Sequence, residues 1–106
     1  MTTLSTHVLD AVRGVPAAGI AVTLLDPTGT EAVVARTDAD GRITGFGADL
    51  APATYRLRFD TGTYFADQGL ETFYPEVTIT FTVTDTPHLH VPLLLSPFAY
   101  STYRGS

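Results

Sequence analysis

Val77-Thr78-Ile79-Thr80-Phe81-Thr82-Val83-Thr84 alternates without a break: every odd position is apolar and every even position is threonine. Side chains of an extended strand point alternately to opposite faces, so this octet offers one face to a core and the other to water. Similar runs occur at residues 20–25, 31–36, 54–59 and 89–95, and turn chemistry separates them at Asp26-Pro27-Thr28-Gly29 and Asp38-Ala39-Asp40-Gly41. Short strands punctuated in this way predict an all-β, antiparallel sandwich. Only residues 63–71, Thr-Tyr-Phe-Ala-Asp-Gln-Gly-Leu-Glu, break the alternation, and they have room for about two helical turns before Pro75. No internal repeat, low-complexity tract or linker divides the chain, and 106 residues with 44% hydrophobic content suit one domain, residues 1–106.

The charge balance removes several classes of partner. Six cations, all arginine, stand against 11 acidic residues for a formal charge of −5. Nucleic acid and anionic membranes attract clustered cations, and the sequence has no such cluster, so neither is expected as a partner. Cysteine is absent, which excludes disulfides and thiolate metal sites. The amino terminus has neither a basic nor an apolar leader region, and no segment approaches the roughly 18 apolar residues of a membrane span. A soluble, cytoplasmic protein is the expectation.

Leu89, Val91, Leu93 and Leu95 share the apolar face of their strand, which turns His88, His90, Pro92 and Leu94 outward. The two histidines then lie about 7 Å apart on one face. Leu94 together with Pro97 and Phe98 would leave a lone subunit with an apolar surface, and burial against a second copy is the simplest remedy. Histidines at i and i+2 do not by themselves make a metal site. His7 with a carboxylate could add a third ligand, but no metal is expected. Arg42, just after the Gly41 turn, reads in isolation as a solvated cation. The ending Tyr103-Arg104-Gly105-Ser106 is a polar, cationic close to an apolar run. Chain ends usually fray, yet this one brings a tyrosine, an arginine and the terminal carboxylate close in sequence to two histidines, a clustering that points to a site. No Gly-x-Ser-x-Gly elbow and no phosphate-cradling glycine loop is present.

Five segments carry a resemblance: Leu4-Ser5-Thr6-His7-Val8-Leu9-Asp10, Gly14-Val15-Pro16-Ala17, Asp40-Gly41-Arg42, Phe73-Tyr74-Pro75-Glu76-Val77, and His88 through Ser106. Together they resemble the 5-hydroxyisourate hydrolase family, the transthyretin-related enzymes of purine breakdown, with Tyr100 to Ser106 the most specific part. The resemblance implies a transthyretin-like sandwich of two four-stranded sheets with one short helix. It also implies a homotetramer built as a dimer of dimers, with active sites in the channel between dimers, and no cofactor. By the family pattern His7, Arg42 and His90 are catalytic. His7, Arg42, Tyr103, Arg104 and Ser106 bind substrate. Many relatives carry an aromatic residue where this chain has Leu89, a core-facing position by alternation, so that change bears on packing rather than on the site.

The implied reaction is hydrolysis of 5-hydroxyisourate to 2-oxo-4-hydroxy-4-carboxy-5-ureidoimidazoline by water attack on a cyclic amide. Imidazoles suit the proton transfers, shared here between His7 and His90 in either order, and a fixed cation, Arg42 first and Arg104 second, suits the developing oxyanion. The competing reading is a carrier of a small aromatic ligand in the same channel, as in the hormone-carrying transthyretins, which lack the tail. Fold alone does not separate the two readings.

Overall fold

The computed structural model describes residues 2–46 and 49–105. Among the described residues nine strands and one helix follow in the order β1 (Thr3–Asp10), β2 (Val15–Pro16), β3 (Ala21–Leu25), β4 (Glu31–Arg36), β5 (Arg42–Ile43), β6 (Ala53–Phe59), α1 (Thr61–Ala66), β7 (Val77–Val83), β8 (His88–Ser96) and β9 (Ala99–Thr102). They form two sheets. One has the order β4-β3-β6-β7; the other runs β2-β1-β8-β9, and the two-residue β5 also pairs with β1. All pairings are antiparallel except β1 with β8, which run parallel from Thr3↔His88 to Asp10↔Leu95.

The facing surfaces of the sheets make the core. Leu4, Val8, Leu93 and Leu95 from one sheet meet Val22, Leu24, Leu57 and Phe59 from the other, all essentially without solvent contact. Each such side chain contributes about 1.5–3 kcal/mol by leaving water. In β7 the alternation holds: Val77 and Val83 are buried, the threonines at 78, 80 and 82 are exposed, and Ile79 and Phe81 are half-buried because β7 is the edge of its sheet. In β8 the expected core face is also found, with Leu89, Val91, Leu93 and Leu95 buried.

The helix starts earlier and ends sooner than the broken alternation predicts. Asp60 caps it, Oδ1 accepting from the Thr63 N–H (3.3 Å) and Oδ2 from the Thr63 hydroxyl (2.8 Å). Gly69, at φ +70°, turns the chain away well before Pro75. Phe65 anchors the helix in the core, and the Tyr64 hydroxyl donates to the buried Asp10 carboxylate at the end of β1 (2.8 Å). Burial and that carboxylate push the Tyr64 phenol above its ordinary range, so it stays a donor. Among the described residues no helix is long and apolar enough to cross a membrane.

Pro92 departs from the outward exposure that alternation assigns it, and is buried. The His90 carbonyl accepts from Gly105 N–H, so residues of the same parity in β8, Pro92 included, aim their backbone groups at β9 and the tail. Proline has no N–H to give there. The continuous β8–β9 pairing accordingly stops at Leu93↔Thr102, the Thr102 hydroxyl donates to the Pro92 carbonyl (2.8 Å), and the chain re-pairs only at Gly105.

Candidate functional site

The parallel register of β1 and β8 sets the site. It places Thr3 beside His88, Ser5 beside His90 and His7 beside Pro92. Leu4, Thr6 and Val8 occupy the inner face of β1, so Thr3, Ser5 and His7 share the outer face with His88 and His90. On the far side of β1, β5 pairs His7 with Arg42. The tail closes the other flank, where Gly105 N–H donates to the His90 carbonyl (2.8 Å). Four segments distant in sequence thus meet on one face of one sheet.

Arg42 is placed by a tight turn. The Asp38 carboxylate accepts from the N–H groups of Asp40 (2.9 Å) and Arg42 (3.0 Å), an Asx-turn arrangement. Gly41 sits at φ +73°, and a Cβ there would lie 2.5 Å from the Val8 carbonyl oxygen, so no other residue fits without displacing β1. The Gly41 carbonyl accepts from Val8 N–H (2.8 Å), tying the turn to β1 one residue beyond His7. Asp38-Ala39-Asp40-Gly41-Arg42 is therefore a device that fixes the start of a guanidinium beside a histidine.

Hydroxyls join the two histidines of β8. Thr3 Oγ1 lies 2.7 Å from His88 Nδ1, Ser5 Oγ lies 3.0 Å from His88 Nε2, and the same Ser5 Oγ lies 2.8 Å from His90 Nδ1. His88 is exposed, whereas His90 and His7 are partly buried. Burial, followed by the charges of Arg42, His7 and His88, pulls the His90 imidazole below its ordinary 6.5, against an opposing hydrogen bond to the Ser5 main chain. The shift favours the neutral ring, which has a lone pair to offer.

The tail packs against that ring. A Cβ on Gly105 would lie 2.5 Å from His90 Cδ2, so the main chain approaches the imidazole at a distance only glycine allows. The bridge at Gly105 resumes the β8–β9 register after the unpaired Tyr103 and Arg104. A cleft of about 340 Å³ opens at this flank between the sheets, lined by Ile79 and Phe81 of β7 and by His90, Thr102, Tyr103 and Arg104. Of the residues singled out from sequence, His7, Arg42 and His90 come together, Tyr103 and Arg104 border the cleft beside His90, and Ser106 with its carboxylate lies outside the described residues. Among the described residues no three of His, Asp and Glu converge as metal ligands.

Sequence reasoning missed Ser5, Thr3 and the steric role of Gly105. Ser5 and Thr3 carry a signal, since alternation along residues 3–10 puts them on one face with His7. That signal points at His90 only once β1 is known to lie parallel to β8.

The constellation has known counterparts. Residues 4–105 match the model of the HIUase/Transthyretin family. A 5-hydroxyisourate hydrolase of Mus musculus is 45% identical over 111 residues, covering 97% of this chain and 94% of the mouse protein. Among solved structures, the 5-hydroxyisourate hydrolase of Klebsiella pneumoniae superposes with a TM-score of 0.91 at 41% identity, covering 100% of this chain and 94% of that one. Transthyretin from Sparus aurata reaches the same TM-score at 32% identity, with coverages of 97% and 96%. With a family match over nearly its whole length and relatives above 40% identity, the chain belongs to the HIUase/Transthyretin family.

Proposed function

We propose that this protein hydrolyses 5-hydroxyisourate to 2-oxo-4-hydroxy-4-carboxy-5-ureidoimidazoline. The observation that carries the reading is His90: a neutral imidazole braced at Nδ1 by Ser5, with His7 and Arg42 beside it and the tail packed on its ring. The fold does not choose between enzyme and carrier, because the hydrolase and the transthyretin superpose equally well. The site residues favour the hydrolase.

In the proposed reaction His90 removes a proton from water as its oxygen attacks the ring carbonyl, and the carbonyl oxygen takes up negative charge. Arg42 stabilises that oxyanion. Collapse breaks the acyl–nitrogen bond, and His7 or the newly protonated His90 delivers a proton to the departing nitrogen. Tyr103 and Arg104 hold the substrate from the tail side, and Ser106 takes part in binding it.

The whole chain, residues 1–106, serves as one module, in a cytoplasmic homotetramer built as a dimer of dimers. Two surfaces support the assembly. β7 and β9 are edge strands that both border the same cleft, so unpaired backbone groups of both sheets line one flank and suit pairing with a second copy. On the sheet that bears the site, Phe98 is 67% exposed and Leu94 half-buried, an apolar area that a second contact would cover.

The test is the ultraviolet absorbance decay of freshly made 5-hydroxyisourate with the protein and with His90→Ala. Wild type is expected to accelerate the decay and His90→Ala to lose about 10²–10⁴-fold of that acceleration. Decay at the spontaneous rate with folded wild-type protein would refute the hydrolase and leave the carrier of a small aromatic ligand.

A further inference from the structure

The hydroxyl–imidazole chain on the outer face takes its direction from the Pro87 end. The Pro87 carbonyl can only accept, and the Thr3 hydroxyl donates to it (3.4 Å). With its proton so engaged, Thr3 Oγ1 accepts from His88 Nδ1–H. A neutral imidazole carries one proton, so His88 Nε2 is then an acceptor, and the Ser5 hydroxyl donates to it. Ser5 Oγ, its proton spent, accepts from His90 Nδ1–H. The chain ends at His90 Nε2, left without a proton on the nitrogen away from Ser5.

We infer that Ser5, oriented by His88 and Thr3, is a positioning residue that holds His90 in its Nδ1–H tautomer and keeps Nε2 as the proton acceptor. The inference rests on the hydrolase reading for its catalytic meaning, but the tautomer itself is a property of the protein without substrate. A histidine that pairs with a carboxylate is held by charge. Here a neutral hydroxyl performs the same alignment, and among the described residues no carboxylate partners His90 to raise its basicity. When Nε2 takes a proton from water, the Nδ1–H bond to Ser5 is already in place, so the imidazolium forms without rearranging its other side.

Backbone geometry explains the reach of this brace. In a parallel pair, Thr3 and Ser5 stand level with His88 and His90, so one seryl oxygen can touch both rings. An antiparallel neighbour running the other way would reverse the order and leave Thr3 beside His90.

The test uses imidazole nitrogen shifts of the ¹⁵N-labelled protein with and without Ser5→Ala, alongside steady-state hydrolysis. In wild type, His90 Nδ1 should carry the proton; in Ser5→Ala both tautomers should appear. kcat is expected to fall about 10- to 100-fold, as when the outer hydrogen-bond partner of a metal-bound imidazole is removed, with KM little changed because Ser5 lies behind the ring. The acid limb of kcat/KM should move to lower pH, since the hydroxyl that accepts from Nδ1–H and so favours the protonated ring is gone, while His7, Arg42 and His88 still bear on the ring and the Ser5 main-chain hydrogen bond remains. His88→Leu, at an exposed position, provides the second variant: it frees the Ser5 hydroxyl to turn and donate to His90, and should mix the tautomers too. A wild-type His90 protonated on Nε2 overturns the inference. So do unchanged shifts and kcat in folded Ser5→Ala, or in His88→Leu should Ser5→Ala not fold. If wild type showed the expected tautomer but no turnover, the hydrolase reading would fall and the positioning would stand.

Discussion

Gly105→Ala puts the relation between tail and imidazole under direct load. The added Cβ would lie 2.5 Å from His90 Cδ2, 3.1 Å from Cγ and 3.2 Å from Cβ. Carbon atoms sit comfortably at about 3.5–4.0 Å, so the nearest contact demands about 1 Å of extra separation. The ring cannot swing away cheaply, because its Nδ1 is held 2.8 Å from Ser5 Oγ. The tail cannot retreat without stretching the 2.8 Å hydrogen bond from Gly105 N–H to the His90 carbonyl. Either way a functional group moves by about 1 Å, a displacement that can cost about 10²-fold in rate. The stability change should be far smaller, about 0.5–1.5 kcal/mol, the worth of one ordinary hydrogen bond. We therefore expect kcat/KM for 5-hydroxyisourate to drop about 100-fold while the thermal midpoint falls by only a few degrees. Absorbance decay at several substrate concentrations, paired with a melting curve, reads both. Wild-type turnover by a folded Gly105→Ala protein would refute the argument, since it would mean that neither ring nor tail needs its present position.

Arg42→Gln should lower kcat by about 10²–10³-fold, the usual loss of an oxyanion partner, and should also shift the acid limb of the pH–rate profile upward, because a cation that depresses the His90 pKa is gone; a single pH-rate series reads both effects. For wild type, that limb should lie below the ordinary 6.5, which a profile from acid to neutral pH would check. The same depression couples to folding: between the lowered native pKa and 6.5 the unfolded chain binds the extra proton, so stability gains from His90 as pH rises through that window and levels off above it. Denaturant titrations of wild type and His90→Asn across the window should show the slope in the first and its reduction in the second. Gly41→Ala combines a left-handed backbone with a Cβ 2.5 Å from a main-chain oxygen, and we expect a loss of at least about 2 kcal/mol, visible as a drop of about 8 °C or more in the thermal midpoint.

The strands were legible where burial writes itself into the sequence. Val77 to Val83 and Leu89 to Leu95 announce their faces because each strand has one side in the core. The pairing of β1 with β8 was not legible from periodicity, since no local pattern tells residue 5 that residue 90 will lie beside it. Ser5 stayed invisible for that reason, while His7, Arg42 and His90 were read from their motifs. The helix was displaced because Asp60 offers a better start than the broken alternation suggests, and Gly69 a better stop than Pro75. Strand β9 was not legible because Ala99-Tyr100-Ser101-Thr102 is exposed throughout and shows no apolar face. What orders it is Leu93 to Ser96, whose free edge the returning chain completes, and what interrupts it is Pro92.

The parallel pairing of β1 with β8 also fixes when the site can exist during folding. Thr3 and His88 are 85 residues apart, so the first strand has no partner in its sheet beyond the short β2 and β5 until nearly the whole chain is present. The β4-β3-β6-β7 sheet, by contrast, closes through neighbouring segments. Loop-closure entropy grows slowly with length, about 0.6 kcal/mol per doubling, so the late pairing costs time more than stability, and non-local pairings of this kind slow folding into the millisecond-to-second range. During that interval Leu4 and Val8 have not yet met their partners on β8, and a nascent chain carries an apolar strand open to the wrong partner. The geometry that lets one serine touch two histidines is thus also a kinetic exposure, and crowding or a slow translation step near the end of the message would act on this strand before any other.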